Sequence, residues 1–321
     1  MNLSEFAEAA KVKIVIGKGG VGKTTITAAL ARSFAGAGLN VLCVELEGRP
    51  ELARAFNTSQ PLSYAPTLLY SDPSSGSVSA RRLTPDDALV EYLSEHGLGR
   101  LSRRLVSTGV LDIVAGSIPG LRDVLVLGKV KQLSNDPAID VLLVDAPATG
   151  HAMTLLTSAS GMMNVARSGL VRNQAEEVVS MLSDTTRCQV LLVTLPEELP
   201  VSETIEAAFL VEDRASVALG PVICNLVERS AAGLDESAAE AFKESGLHGS
   251  KQLIRALDDA ATFQRSRSEE SVEQLIRLRR ELPLSVLELP QLACGSIALD
   301  ECTVLAGILS SEIATLDGDL L

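Results

Sequence analysis

The residues that can most plainly do chemistry are Gly17-Lys18-Gly19-Gly20-Val21-Gly22-Lys23-Thr24-Thr25. They fit the pattern G-x-x-x-x-G-K-[ST], in which glycines allow successive backbone N–H groups and a helix N-terminus to face one anion. Gly19, Gly20, Val21, Gly22, Lys23, Thr24 and Thr25 would line a phosphate cradle. In such a loop Lys23 contacts the β- and γ-phosphates of a triphosphate, and the Thr24 hydroxyl reaches a Mg²⁺ ion.

Carboxylates with suitable spacing lie at the ends of two apolar runs. Val41 to Val44 leads into Glu45-Leu46-Glu47, two acids two residues apart and so directed to the same side of a strand. Val141 to Val144 ends in Asp145-Ala146-Pro147-Ala148-Thr149-Gly150-His151. An acid that closes a buried strand can hold Mg²⁺ directly or through water, so Asp145 and Thr24 are the metal candidates and Glu45 a further one. His151 has the chemistry of a general base, but its place favours a structural role in a loop that moves with the γ-phosphate.

These groups need a sheet whose strand ends converge. Val12 to Ile16 reads as a strand before the loop and Ile26 to Phe34 as a helix after it, stopped at Gly36-Ala37-Gly38. Val190 to Leu195, Val222 to Cys224 and Leu284 to Leu289 supply further buried strands, with helices over Ser202 to Val217 and Ala298 to Leu316. Val78 to Leu83 alternates like a short edge strand, and Pro50 suits the first turn of a helix through Phe56. Thr84-Pro85-Asp86-Asp87 opens a helix with an N-cap, a proline at the first helical position and acids at the positive end of the dipole. The pattern predicts an α/β fold with a doubly wound, mainly parallel sheet flanked by helices. The 321 residues read as a single domain with helical insertions at about 84–135 and 234–282. Leu253, Ile254, Leu257, Leu275, Ile276 and Leu278 are the apolar positions of the second insertion, which is expected to pack on the core.

Composition narrows the partners. A net charge of −13 disfavours nucleic acid, whose binding depends on Lys and Arg neutralising phosphates. The leucine-rich basic runs at Arg100, Arg103, Arg104 and at Arg277, Arg279, Arg280 read as solvated helix faces. The start of the chain lacks the apolar segment of a signal peptide, and no run approaches a membrane span, which predicts a cytoplasmic protein, at most peripheral at a membrane. Cys43, Cys188, Cys224, Cys294 and Cys302 show no C-x-x-C spacing, and the first three fall in apolar strands as small hydrophobes.

Lys18 distinguishes this loop from most phosphate loops. Gly-Lys-Gly-Gly-Val-Gly-Lys-Thr-Thr resembles the deviant Walker A motif of the P-loop ATPase family that contains arsenical-pump ATPases, tail-anchored-protein targeting factors and the ParA and MinD partition ATPases. Asp145 to His151 is similar to the D-T-A-P-T-G-H switch II segment of its arsenical-pump and targeting branch. Leu195-Pro196-Glu197-Glu198-Leu199-Pro200-Val201-Ser202-Glu203-Thr204 is similar to its T-P-E-x-L-P-V-x-E-T segment. Val222 to Asn225 and Leu287 to Pro290 resemble adenine-pocket segments, which implies Asn225 and Pro290 near the base. The likeness spans nearly the whole chain and is strongest to actinobacterial anion-transporting ATPase proteins.

The resemblance implies a P-loop NTPase that binds ATP or ADP with Mg²⁺ and closes as a nucleotide-sandwich dimer, a homodimer or a heterodimer with a paralogue. It implies that Lys18 reaches the partner's nucleotide, that Lys23 shares the stabilisation of developing charge, and that Glu47 orients the attacking water. Glu47 stands where most of the family has aspartate; the extra methylene moves the carboxylate by about 1.3 Å, against a contact window of ~2.6–3.2 Å, so slow hydrolysis is expected. The metalloid-binding cysteines of arsenite pumps and the zinc C-x-x-C of targeting factors have no counterpart. The leading expectation is Mg-dependent ATP hydrolysis, driving a conformational switch coupled to anion transport or to a partner such as a membrane protein. The alternatives are an ATP-gated chaperone or targeting factor for hydrophobic client helices, and a ParA- or MinD-like positioning ATPase.

Overall fold

Strands covered on both faces must be apolar on both, and the continuous runs of Val, Ile and Leu in this chain build such a sheet. The computed structural model describes residues 1–46, 48, 50–71, 76–98, 120–166, 168–230 and 232–316. Among them the strands are β1 (Val12–Gly17), β2 (Asn40–Glu45), β3 (Thr67–Ser71), β4 (Ser77–Arg82), β5 (Val141–Ala148), β6 (Cys188–Thr194), β7 (Ala218–Leu219), β8 (Val222–Val227) and β9 (Val286–Pro290). They pair in the order β3-β4-β2-β5-β1-β6-β8-β9, with the short β7 also on β6. Every pairing is parallel except β3 with β4. This is the mainly parallel α/β sheet that the alternation of strands and helices predicts.

Helices cover both faces. On one lie α1 (Leu3–Ala9), α2 (Lys23–Gly36), α3 (Glu51–Ala55) and α11 (Leu299–Ala314), closing a core in which Phe6, Ile26, Leu30, Phe34 and Leu309 meet Val15, Leu143 and Leu191. On the other lie α4 (Pro85–Leu93), α5 (Leu121–Ser134), α6 (Thr149–Val165), α7 (Leu170–Ser183) and α8 (Glu198–Leu210), over Ile14, Val44, Leu142 and Val190. α4 starts as its sequence requires: the Thr84 side chain accepts from the Asp87 N–H and Pro85 takes the first turn.

The structure corrects several local expectations. Val78 to Leu83 does not form an edge strand: β4 lies one position inside, and β3, a strand not expected from the sequence, takes the edge. Packing supplies the missing signal, since the Arg32 guanidinium of α2 stacks 4.2 Å over Tyr70 of β3. The helix expected over Ser202 to Val217 begins earlier, at Glu198. Thr149 to His151 forms the first turn of α6 rather than a loop. Within 234–282 stand α9 (Ala238–Glu244) and the 31-residue α10 (Lys251–Glu281). Among the described residues, only the C-terminal part of α10 packs on the core, through Leu275 and Leu278; Leu253, Leu257 and Ile276 are exposed. The basic run at Arg100, Arg103 and Arg104, with the rest of the first insertion over 99–119, lies outside the described residues.

Candidate functional site

The phosphate loop leaves β1 at Gly17, in the middle of the sheet, flanked by β5 and β6. A Cβ on Gly17 would stand 2.2 Å from the Val193 carbonyl oxygen of β6, so only glycine allows the strands to approach this closely. Gly20 and Gly22 adopt φ of 90° and 91°, the left-handed backbone that turns the loop into α2. Gly22 is the N-cap of α2, and among the described residues no side chain caps this helix. Its first N–H groups and positive dipole end are thus directed into the loop, an arrangement suited to an anion. Lys23 bends back over the loop, donating to the carbonyls of Gly17 at 3.2 Å and Lys18 at 3.3 Å.

The carboxyl ends of the neighbouring strands bring acids to the same place. The Thr24 hydroxyl donates to Asp145 Oδ2 at 2.7 Å, across 121 residues of sequence. Glu45 pairs with Asp145 in the β2–β5 register, and both are nearly enclosed, at 4% and 7% exposure. Mg²⁺ takes hard oxygen ligands, commonly one or two carboxylates completed by substrate phosphates and water. Thr24, Asp145 and the adjoining Glu45 are such a donor set, so the residues present fit that ion. Among the described residues no group of three or more His, Cys, Asp and Glu is placed to hold a metal ion. Glu47, expected to orient water, lies outside the described residues.

A third convergence involves the far strands. The Asn225 amide, 4% exposed, donates to the Val21 carbonyl at 3.0 Å and so joins β8 to the phosphate loop. Gly20, Gly22, Thr25, Asn225 and Pro290 line one cavity of about 290 Å³, with the 291–297 segment and Leu305 behind it. The loop residues and the two residues with a likeness to adenine-pocket segments therefore face one space. Leu226 lines it too, a residue the sequence reading did not single out; its signal is a β-bulge, which only the strand register reveals.

Lys18 meets Glu203 of α8 in its own chain, Nζ to Oε1 at 2.7 Å, with the two side chains 30% and 38% exposed. Both belong to segments that the resemblance singled out, 185 residues apart. His151 is exposed at the start of α6; the carboxyl of Asp123 is raised from its ordinary value chiefly by burial, with His151 opposing. Burial raises the thiols of Cys43, Cys188, Cys224 and Cys302, the last three up to about 12, which leaves them as packing groups. Cys294 is exposed.

Known proteins resemble this chain in sequence. The sequence model of the anion-transporting ATPase family, ArsA_ATPase, matches residues 10–173, from the start of β1 into α7. ATPase BagA of Mycobacterium tuberculosis is 38% identical over 224 residues, 67% of this chain and 64% of that protein. An arsenical pump-driving ATPase of Escherichia coli is 30% identical over 211 residues, 65% of this chain and 33% of the pump protein. A second E. coli protein of that name is 24% identical over 301 residues, 92% of this chain and 43% of its own length. The match thus spans somewhat under two thirds of the mycobacterial relative and less than half of the pump ATPases. With the phosphate loop on β1, the acids on β2 and β5 and the matched family region running through all three, the chain belongs to the anion-transporting ATPase family.

Proposed function

We propose that this protein hydrolyses ATP with Mg²⁺ between two subunits and uses the cycle to rearrange its helices. The observation that carries the reading is the uncapped start of α2 behind the Gly17–Thr25 loop, with the Thr24 hydroxyl on Asp145 at 2.7 Å. The loop N–H groups and Lys23 would hold the β- and γ-phosphates and stabilise charge that develops as water attacks in line. Thr24 and Asp145 would hold Mg²⁺, which when bound would neutralise phosphate charge. Glu45, in register with Asp145, would support that shell or orient water; Glu47 is the other candidate for the water. Asn225 and Pro290 would border the base.

Lys18 would act across the dimer. Its pairing with Glu203 is half-exposed, and such pairs are worth about 0–1 kcal/mol, so exchanging it for a partner's nucleotide costs little. The partner subunit would be a second copy or a paralogue. Anion transport, through a membrane protein that the ATPase drives, is the leading use of the cycle, by analogy with the arsenical pump-driving relatives. A second reading, ATP-gated capture of hydrophobic segments, draws on the exposed Leu253, Leu257 and Phe263 of α10.

The test is phosphate release by complementing variants. Lys18→Ala and Asp145→Asn should each lower the rate by about a hundredfold or more. Mixed and allowed to exchange, they should recover up to about a quarter of the wild-type rate, the share of sites that random pairing completes. A mixture no faster than its parents would remove the trans role of Lys18, and an Asp145→Asn protein of wild-type rate would remove the metal assignment.

A further inference from the structure

β8 carries one residue too many where it passes the cavity. Cys224 pairs with Glu288 and Val227 with Pro290, so three steps on β8 oppose two on β9. The bulge falls on Leu226, whose φ is 55°. Of the three non-glycine residues with positive φ among the described residues, Asn57 follows the end of α3 and Ser216 caps the turn at Val211–Ala215, where left-handed backbone is ordinary. Leu226 alone lies inside a strand. Leucine gains nothing from this conformation locally, so something else must hold it there.

The bulge changes which way two consecutive side chains point. In a regular strand Asn225 and Leu226 would face opposite sides of the sheet. Here both line the same cavity, beside Gly20, Gly22 and Pro290, and Leu226 is 40% exposed in a strand otherwise buried. Ile297 and Leu305 form apolar surface elsewhere on the cavity wall. An amide beside an exposed apolar side chain matches a flat heteroaromatic base, which has polar edges and an apolar face.

We propose that Leu226 is the platform on which the nucleotide's base lies, and that the bulge is kept because it aims the side chain there. The inference rests on the ATP reading above and adds the residue that recognises the base face. The competing explanation is packing, since Leu226 also borders a small cleft with Leu195, Pro196 and Arg267.

Leu226→Gly and Leu226→Asn separate the two, because both residues accept left-handed backbone and neither supplies an apolar platform. For each variant the unfolding midpoint and the equilibrium binding of Mg-ATP and of inorganic triphosphate would be compared with wild type. The platform predicts an unchanged or raised midpoint, ATP affinity weakened about tenfold, as for loss of a half-buried leucine contact, and triphosphate affinity unchanged. Leu226→Met should bind ATP as wild type does. ATP affinity kept by both folded variants overturns the proposal, as does a lowered midpoint with ATP and triphosphate weakened together. Wild-type protein that binds neither ligand would sink the ATP reading and the platform with it; wild type binding both equally tightly would sink the platform alone.

Discussion

Lys13 lies on β1, the strand that ends in the phosphate loop, with no exposed surface. Its ammonium donates to the Ala10 carbonyl at 3.0 Å and to Gln189 Oε1 at 2.9 Å, and stands 4.4 Å from the centre of the Phe6 ring. Burial nevertheless lowers its pKa from 10.5 to about 7, with Cys188 opposing weakly. Between those two values the unfolded chain binds more protons than the folded one, so stability must rise with pH across the window. At about 1.4 kcal/mol per pH unit, the distance from 10.5 to about 7 corresponds to about 5 kcal/mol, withheld in full below the folded pKa and restored above the unfolded one. Lys13→Met keeps the length and the apolar stem and removes the proton. Urea unfolding of both proteins at steps from about pH 7 to about pH 9.5 should show wild type gaining about 3 kcal/mol relative to the variant. Subtracting the variant cancels every other titrating group. Two curves that run parallel would refute the argument that this lysine is charged at a cost inside the sheet.

Two further perturbations test other parts of the structure. Gly17→Ala places a Cβ 2.2 Å from the Val193 carbonyl oxygen, which can yield only if β1 and β6 part, so thermal unfolding should report a loss of about 2–3 kcal/mol; an unchanged midpoint would contradict the close approach. Glu203→Gln releases Lys18 from its partner within the chain, and sedimentation with a non-hydrolysable ATP analogue should show self-association strengthened about two- to fivefold. Unchanged or weakened association would mean that Glu203 does not compete with a partner for Lys18.

What the sequence determined by itself is what contiguous residues determine. The Gly17–Thr25 loop, the strands at Val12 to Ile16 and Val141 to Val144 and the cap at Thr84 are each encoded within a few residues, because glycine φ, a buried parallel strand and an N-cap are local requirements. Lys23 and Thr24 could be assigned chemistry from spacing alone. Alternation failed at β4, since a strand with a partner on each side reads like one at the edge until its neighbour β3 is known. It misjudged α10 for a related reason: apolar spacing repeats along the whole helix, yet Leu278 has core to meet and Leu257 does not.

Only the tertiary structure decided the pairings that make a site. Thr24 on Asp145, Asn225 on Val21 and Lys18 on Glu203 join residues 121, 204 and 185 positions apart. Such distances are set by strand order, which places β1 between β5 and β6 and turns their carboxyl ends to one side. The bulge at Leu226 belongs to the same class: an extra residue exists only relative to β9, and no window of β8 alone contains it.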